Sequence, residues 1–170
     1  HTNAPHHRDA ALSVLGCAPD REAVAAAVKG MPKGALEEAV VTAGGAAAAM
    51  RSLADWANHP QGRAVEAEPL IDWQMAHDAS RTVSSGLKGV RVLDLTRVLA
   101  GPVATRFLAG FGANVLRIDP PWWSEPGVEP EVTIGKRRAG LDFRNVADRS
   151  RFEALLARAD VLIHGYRPGA

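Results

Sequence analysis

Two short apolar runs in the second half of the chain have the length and character of buried strands. Residues 90–95 are apolar except for Arg91 and Asp94, and residues 114–119 carry valine, leucine and isoleucine between polar positions. Runs this short and rich in branched aliphatic side chains favour strands over helices. We therefore predict two core strands at these positions.

The segment between these runs has the pattern of a loop followed by one helix. Residues 96–101 form the loop, and Pro102 suits the first turn of a helix because its missing N–H is not needed there. Gly112 is a good residue to end the helix. The apolar residues at helical spacing between them are Val103, Phe107, Leu108 and Phe111. Strand, loop, helix and strand predict a βαβ unit with parallel strands, which binds small molecules at the strands' carboxyl ends.

The remaining residues of this half extend the same alternation. Residues 135–143 predict a bend and a short strand, and Asp148 is placed to cap a helix over residues 149–159. Residues 161–163 predict a further strand. We therefore expect an α/β fold, with a Rossmann-like parallel start over residues 87–170.

The first half of the chain predicts a separate small domain, α/β in class but mostly helical. Asp20 and Ser52 are suitable N-cap residues for two helices, and residues 35–42 predict another. The other segments are residues 1–9 and 61–67, both predicted as loops, and residues 69–71, predicted as a short strand. We assign residues 1–74 to this domain and the polar residues 75–86 to a linker.

Composition excludes several classes of function. The net charge of the 170 residues is +1 at pH 7, so neither nucleic acid nor a membrane surface is an expected partner. No apolar run reaches the roughly 18 residues that suggest a membrane span. The single cysteine, Cys17, cannot form an internal disulfide and fits a reducing cytosol, so we expect a cytoplasmic protein. Adjacent His6 and His7 point to different sides of any regular element, so no metal site is predicted.

Four segments of the second half occur in the order found in a known enzyme family. Residues 93–119, LDLTRVLAGPVATRFLAGFGANVLRID, resemble the opening of family III CoA-transferases, which include the CaiB/BaiF and formyl-CoA transferase types. Residues 135–142 resemble the family's N-K-R-x-x-x-L-D segment, and residues 152–163 its next helix and strand. Residues 166–169 resemble its N-F-x-P-G turn. The resemblance covers residues 87–170.

This resemblance implies an enzyme that moves CoA between an acyl-CoA and a carboxylic acid through an aspartyl intermediate. Coenzyme A is then a substrate, and no cofactor is expected. The family's nucleophilic aspartate lies well beyond the Pro-Gly turn, which places it beyond Ala170. No catalytic residue is therefore assigned among the aspartates near the predicted strands, which are Asp94, Asp119, Asp142 and Asp160.

The resemblance also implies a CoA site at the strand ends. Leu99 and Ala100 match positions that contact CoA through the backbone. Gly165 and Tyr166 match the turn on the adenine side, with Tyr166 where the family often has phenylalanine. The remaining contact segment consists of Leu141, Asp142, Phe143 and Arg144.

Two arginines and a helix start indicate how such a site would hold phosphates. The helix that starts near Pro102 presents free N–H groups, and Arg97 and Arg167 add guanidinium groups suited to phosphate. The alternative is that both arginines are merely solvated. Two positions depart from the family: Pro120 stands where some members carry arginine, and Leu99 replaces a glutamine of formyl-CoA transferase, which argues against oxalate or formyl chemistry.

The first half has a weaker similarity to the tail of the same family, where a small domain ends in a helix and an H/D-P-x motif. Residues 59–61, HPQ, match that motif, whereas the glycine pair at 44–45 lacks the proline usual in the preceding break. A tail followed by a head occurs where two family copies are fused in tandem. We therefore expect part of a longer polypeptide that forms a homodimer or a tandem-fused pseudo-dimer.

Two other functions compete with this interpretation. Asp119 ends a strand where a nicotinamide enzyme would place its ribose-binding acid, but residues 96–101 carry one glycine and not G-x-G-x-x-G. The second is a catalytically inactive half that only supports dimer assembly. Locally, Trp122 and Trp123 predict either an aromatic platform for a ligand or a cover for the sheet edge.

Overall fold

The computed structural model describes residues 1–74 and 86–166 of the chain. The chain divides into two compact units, His1–Met75 and Ala76–Ala170. Most of the predicted linker, and the predicted site residue Arg167, lie outside the described residues.

Within its described residues, the first unit consists of five helices. They are α1 Pro5–Leu15, α2 Arg21–Lys29, α3 Lys33–Thr42, α4 Leu53–Asn58 and α5 Pro60–Ala67. The Asp20 carboxylate caps α2 by accepting hydrogen bonds from the N–H groups of Glu22 and Ala23 at 3.0 and 2.9 Å. Ser52 and Asp55 form a reciprocal capping box at the start of α4. Both predicted helix starts are confirmed.

Three local predictions for this unit are wrong. α1 begins at Pro5, inside residues 1–9 that are predicted as a loop, because proline suits a first helical position. Residues 61–67, also predicted as a loop, belong to α5. The start of α5 is capped by His59, whose Nδ1 accepts a hydrogen bond from the Gln61 N–H at 3.2 Å. Residues 69–71 form no strand. The described part of this unit is therefore helical, and the α/β class rests on the second unit.

The second unit is built on a parallel sheet, which confirms the predicted α/β class. Its strands are β1 Arg91–Asp94, β2 Asn114–Asp119, β3 Arg137–Gly140 and β4 Val161–Ile163, and its helices are α6 Ala100–Gly110, α7 Glu129–Val132 and α8 Val146–Leu156. The strand order is β3-β2-β1-β4, with every neighbouring pair parallel. All four strands lie within the segments predicted as strands.

The helix α8 begins earlier than the sequence predicts, because a different residue caps it. Asn145 Oδ1 accepts hydrogen bonds from the N–H groups of Ala147 and Asp148 at 2.8 and 3.3 Å. Asp148, the predicted cap, instead accepts from the N–H of Asp142 at 3.0 Å. Its carboxylate therefore ties α8 to the segment that follows β3.

Side chains of β1 alternate between two buried faces of the sheet. Leu93 packs with Ile118 on the face covered by α8. Val92 packs with Val115 on the opposite face, against α6. Burial on both faces is typical of parallel sheets and explains why consecutive positions of this strand are apolar.

A buried ion pair joins the end of β1 to the start of α6 and to the residue before β3. Lys136 Nζ donates to Asp94 Oδ2 at 2.9 Å, and both side chains are fully buried. Nζ also donates to the Pro102 carbonyl at 2.8 Å. Burial raises the pKa of Asp94, but hydrogen bonds from Thr105, Thr96 and Lys136 outweigh it and hold the pKa below its ordinary value.

Lys136→Met is expected to lower the free energy of unfolding of the second unit by about 3–5 kcal/mol, because it leaves the Asp94 carboxylate buried without a cation. Urea unfolding followed by circular dichroism measures the change. Lys88→Met is the matched control, because Lys88 is exposed in the same unit and surface substitutions change stability by less than about 0.5 kcal/mol. Equal stability of the two variants would show that the pair does not stabilise the fold.

Candidate functional site

The strand order places a crevice at the carboxyl ends of the strands. The chain runs from β1 to β2 and β3 on one side, and then adds β4 on the other side of β1. The strand order therefore reverses at β1, and open α/β sheets bind ligands at such a point. A pocket occupies this edge, with contributions from residues at or after the end of all four strands. They are Arg97, Ile118, Asp119, Pro120, Trp122, Leu141, Asp142, Phe143, Arg144 and Tyr166.

The pocket has an apolar floor and aromatic rings at its rim. Ile118 and Leu141 are buried, and Phe143 packs with them beside α8. Trp122 and Tyr166, by contrast, are 58% and 46% exposed. Exposed rings beside a pocket can stack on a planar ligand such as a nucleobase.

Each arginine of the pocket is paired with a carboxylate of the same pocket. Arg97 Nη1 lies 3.2 Å from Asp119 Oδ1, and the Arg97 side chain is 18% exposed. Arg144 donates from Nε to Asp142 Oδ1 at 2.9 Å and from Nη2 to Oδ2 at 3.0 Å, yet its side chain is 74% exposed. These hydrogen bonds from Arg144 hold the pKa of Asp142 below its ordinary value. Arg144 is thus the more accessible of the two guanidinium groups.

The loop after β1 contains an unusual backbone conformation. Val98 has a φ of 67°, which is rare for a β-branched residue because its Cβ crowds the backbone there. Its N–H donates to Glu125 Oε1 at 2.9 Å, and Arg117 Nη2 donates to Oε2 of the same carboxylate at 2.9 Å. Such a conformation costs about 1–3 kcal/mol and persists where its surroundings fix it. The loop is therefore held in one shape by β2 and the segment after it.

Sequence reasoning missed the buried cation behind this loop. Arg117 is fully buried in β2, and its Nε donates to both oxygens of Asp119, at 3.1 and 2.9 Å. The available signal is an arginine inside an apolar core strand, because arginine is rarely buried without a partner. That signal predicts a buried carboxylate, but it does not identify Glu125.

The pocket brings together most of the predicted site residues, which are Arg97, Leu141, Asp142, Phe143, Arg144 and Tyr166. Leu99 and Ala100 instead form the N-cap and the first residue of α6. Neither they nor Gly165 are among the described residues that line the pocket.

The two strand ends that carry the predicted CoA contacts lie side by side. Asp94 at the end of β1 pairs with Ile163 at the end of β4, so the loop after β1 and the turn containing Tyr166 leave adjacent strand ends. Of the two tryptophans, Trp122 lines the pocket. Trp123 instead has its ring centroid 5.7 Å from the Arg97 guanidinium carbon. The two adjacent rings therefore differ in position: the Trp122 ring lines the pocket, and the Trp123 ring packs against an arginine of the pocket.

The described residues offer neither a metal site nor a membrane-spanning helix. Within 1–74 and 86–166, no group of histidine, cysteine, aspartate and glutamate side chains could hold a metal ion. None of the helices in this part of the chain has both the length and the apolar character that a membrane span requires.

Comparison with known proteins identifies the family. Residues 87–170 match the model of CoA-transferase family III, so this segment of the chain belongs to that family. An acyl-CoA transferase of Gibberella moniliformis is 30% identical over 146 residues, which cover 79% of this chain and 26% of that protein. A succinyl-CoA:mesaconate CoA-transferase of Haloarcula hispanica is 37% identical over 99 residues, which cover 49% of this chain and 25% of that protein.

A solved structure of a CaiB/BaiF family protein from Brucella suis is also similar. It is 33% identical with a TM-score of 0.41, covering 49% of this chain and 26% of that chain. The chain thus spans about a quarter of the length of these relatives.

Gly101→Ala is expected to lower the free energy of unfolding by about 1–3 kcal/mol, because the new Cβ would lie 2.4 Å from Thr96 Cβ. Thr96 is buried, and its hydroxyl donates to Asp94 at 2.5 Å, so it has little room to move. Gly110→Ala in the same helix is the control, because nothing lies within 4 Å of its added Cβ; it should be neutral or slightly stabilising. Thermal unfolding compares the two variants, and equal stability would contradict this packing.

Proposed function

We propose that the chain is part of an enzyme that transfers CoA between an acyl-CoA and a carboxylic acid, with the CoA nucleotide in the pocket at the strand ends. Membership of family III supports CoA transfer in general. The observation that carries the proposal is the convergence of the exposed Tyr166 ring and the exposed Arg144 guanidinium on one pocket. A nucleotide has the complementary groups, a planar base for stacking and anionic oxygens for charge-assisted hydrogen bonds.

The proposed chemistry is covalent catalysis by an aspartate that is not among the 170 residues of this chain. Its carboxylate attacks the thioester carbonyl and releases CoA as the thiolate. The thiolate then attacks the aspartyl carbonyl of the mixed anhydride, which releases the first acid and forms an aspartyl thioester; the second acid repeats the two steps in reverse. The carboxylates near the pocket are unsuited to this role because cations already engage them, Asp94 with Lys136, Asp119 with Arg117 and Asp142 with Arg144.

For the first unit, we propose the small-domain tail of a preceding family copy, fused in tandem with the second unit. The alignment with the Gibberella acyl-CoA transferase covers 79% of this chain. Because residues 87–170 are only about half of the chain, that alignment continues into the residues before 87. This continuity supports the tandem fusion, for which we propose a pseudo-dimer or a homodimer of such chains. The single cysteine fits a cytoplasmic enzyme.

The 170-residue chain is expected to bind CoA in isothermal titration calorimetry and not to bind NADH, which tests the nicotinamide alternative. Tyr166→Ala should raise the CoA dissociation constant about 2- to 10-fold, because aromatic stacking contributes about 0.5–1.5 kcal/mol. Tyr166→Phe keeps the ring and should bind like the parent. Absence of CoA binding by the parent would reject the proposed site, and equal binding by all three would remove Tyr166 from it.

The purified chain is expected to show no acyl-CoA exchange above a blank reaction, because its carboxylates near the pocket are committed to internal pairs and the nucleophile lies elsewhere. The measurement follows transfer of labelled CoA between two acyl groups by mass spectrometry. Exchange above the blank that persists after repurification would show that one of these carboxylates, or another residue of the chain, performs the covalent step.

A further inference from the structure

We propose that Trp122 is a positioning residue that, together with Asp142, holds the Arg144 guanidinium in place for an anionic group of the ligand. The proposal rests on the proposed function, because it takes a phosphate of CoA as that group. Trp122 follows β2, whereas Asp142 and Arg144 follow β3. Nothing in the family resemblance assigns a role to the tryptophan.

Two contacts fix the Arg144 guanidinium from different directions. Its central carbon lies over the Trp122 ring, 4.1 Å from the ring centroid, which is within the range of a cation–π contact. Asp142 accepts hydrogen bonds from Nε and Nη2 on one edge of the guanidinium. The Asp142 carboxylate is fixed in turn by the backbone N–H of Arg144, which donates to Oδ1 at 3.0 Å. The arrangement therefore restricts the head of an otherwise exposed side chain.

This geometry leaves donors of Arg144 available to a ligand. Within the described residues, Asp142 takes hydrogen bonds from Nε and Nη2, and Nη1 makes none. The other guanidinium of the pocket is more enclosed, because Arg97 Nη1 donates to the Thr96 carbonyl at 2.9 Å and also faces Asp119. Arg144 is therefore better placed than Arg97 to receive a phosphate oxygen.

The sheet register explains how a ring from one segment reaches a guanidinium from another. Asp119 at the end of β2 pairs with Gly140 at the end of β3, so the segments that follow these strands leave the sheet side by side. A free arginine loses rotamer freedom when it binds an anion, and an arginine held beforehand loses less. Trp122 thus improves binding by ordering Arg144 before the ligand arrives.

The first test needs no ligand. Arg144 Nε–H order parameters from ¹⁵N relaxation are expected to fall in Trp122→Ala and to stay near the parent value in Trp122→Phe, which retains an aromatic face. Trp73→Ala, which removes an exposed tryptophan of the first unit, is the control and should leave Arg144 unchanged. Unchanged Arg144 order in Trp122→Ala, with native circular dichroism, would overturn the positioning role even if the chain binds CoA.

The second test is a double-mutant cycle in CoA affinity. Trp122→Ala should raise the dissociation constant about 2- to 5-fold in the parent, and this effect should shrink at high salt because it acts through a charge. In the Arg144→Ala background the same substitution should change the constant less than about twofold, because the group that it positions is gone. An equal effect in both backgrounds would mean that Trp122 contacts the ligand itself, and would overturn the proposal.

The two tests separate this inference from the proposed function. If the parent fails to bind CoA while Arg144 loses order in Trp122→Ala, the CoA site is rejected, and with it the assigned role of Arg144 toward a phosphate. The ordering contact between Trp122 and Arg144 then stands. If the parent binds CoA and the cycle shows no coupling, the CoA site stands and the role of Trp122 is rejected.

Discussion

The buried ion pair between Asp94 and Lys136 is the interaction on which the second unit depends. It connects the end of β1, the start of α6 through the Pro102 carbonyl, and the residue before β3. Removing two charges from water is costly unless their remaining hydrogen-bonding positions are filled. Here Thr96 and Thr105 donate to the carboxylate, so its oxygens are occupied. A shift of any one segment would break a hydrogen bond to a buried charge, and the pair therefore specifies one arrangement of the strand ends.

Paired charges also shape the edge of the sheet where the pocket lies. Arg117 is buried between Asp119 and Glu125, and Glu125 also accepts the N–H of the strained Val98. The conformation of the loop after β1 is thus fixed by groups of the protein and needs no ligand to maintain it. Among the described residues that line the pocket, Arg97 is enclosed and faces Asp119, whereas the Arg144 guanidinium is well exposed at the rim.

The strands are predictable from the sequence because the apolar character of a core strand is a local property. Helix starts are less predictable from the sequence. Asn145 and Asp148 both suit an N-cap, and Asn145 caps α8 because the Asp148 carboxylate accepts a hydrogen bond from a backbone N–H of the segment after β3. The contact segment after β3 is found only through family resemblance. The distant partner of a buried charge is not predictable, since Asp94 and Lys136 lie 42 residues apart and no periodicity links them. The same holds for the tryptophan that meets Arg144 across two strand ends.

Charge pairing determines how such a pocket can attract an anion. Arg97 and Arg144 each face a carboxylate, so the two pairs add little net charge, and a long-range field cannot supply much of the binding. An anion must then be held at short range, where the direction of each N–H decides the strength of the hydrogen bond. The orientation of one exposed guanidinium therefore has more influence on affinity than the number of basic residues. The apolar floor and the aromatic rim of this nearly neutral pocket suit the uncharged base of a nucleotide. The single oriented guanidinium at the rim can then donate hydrogen bonds to the phosphate of the same nucleotide.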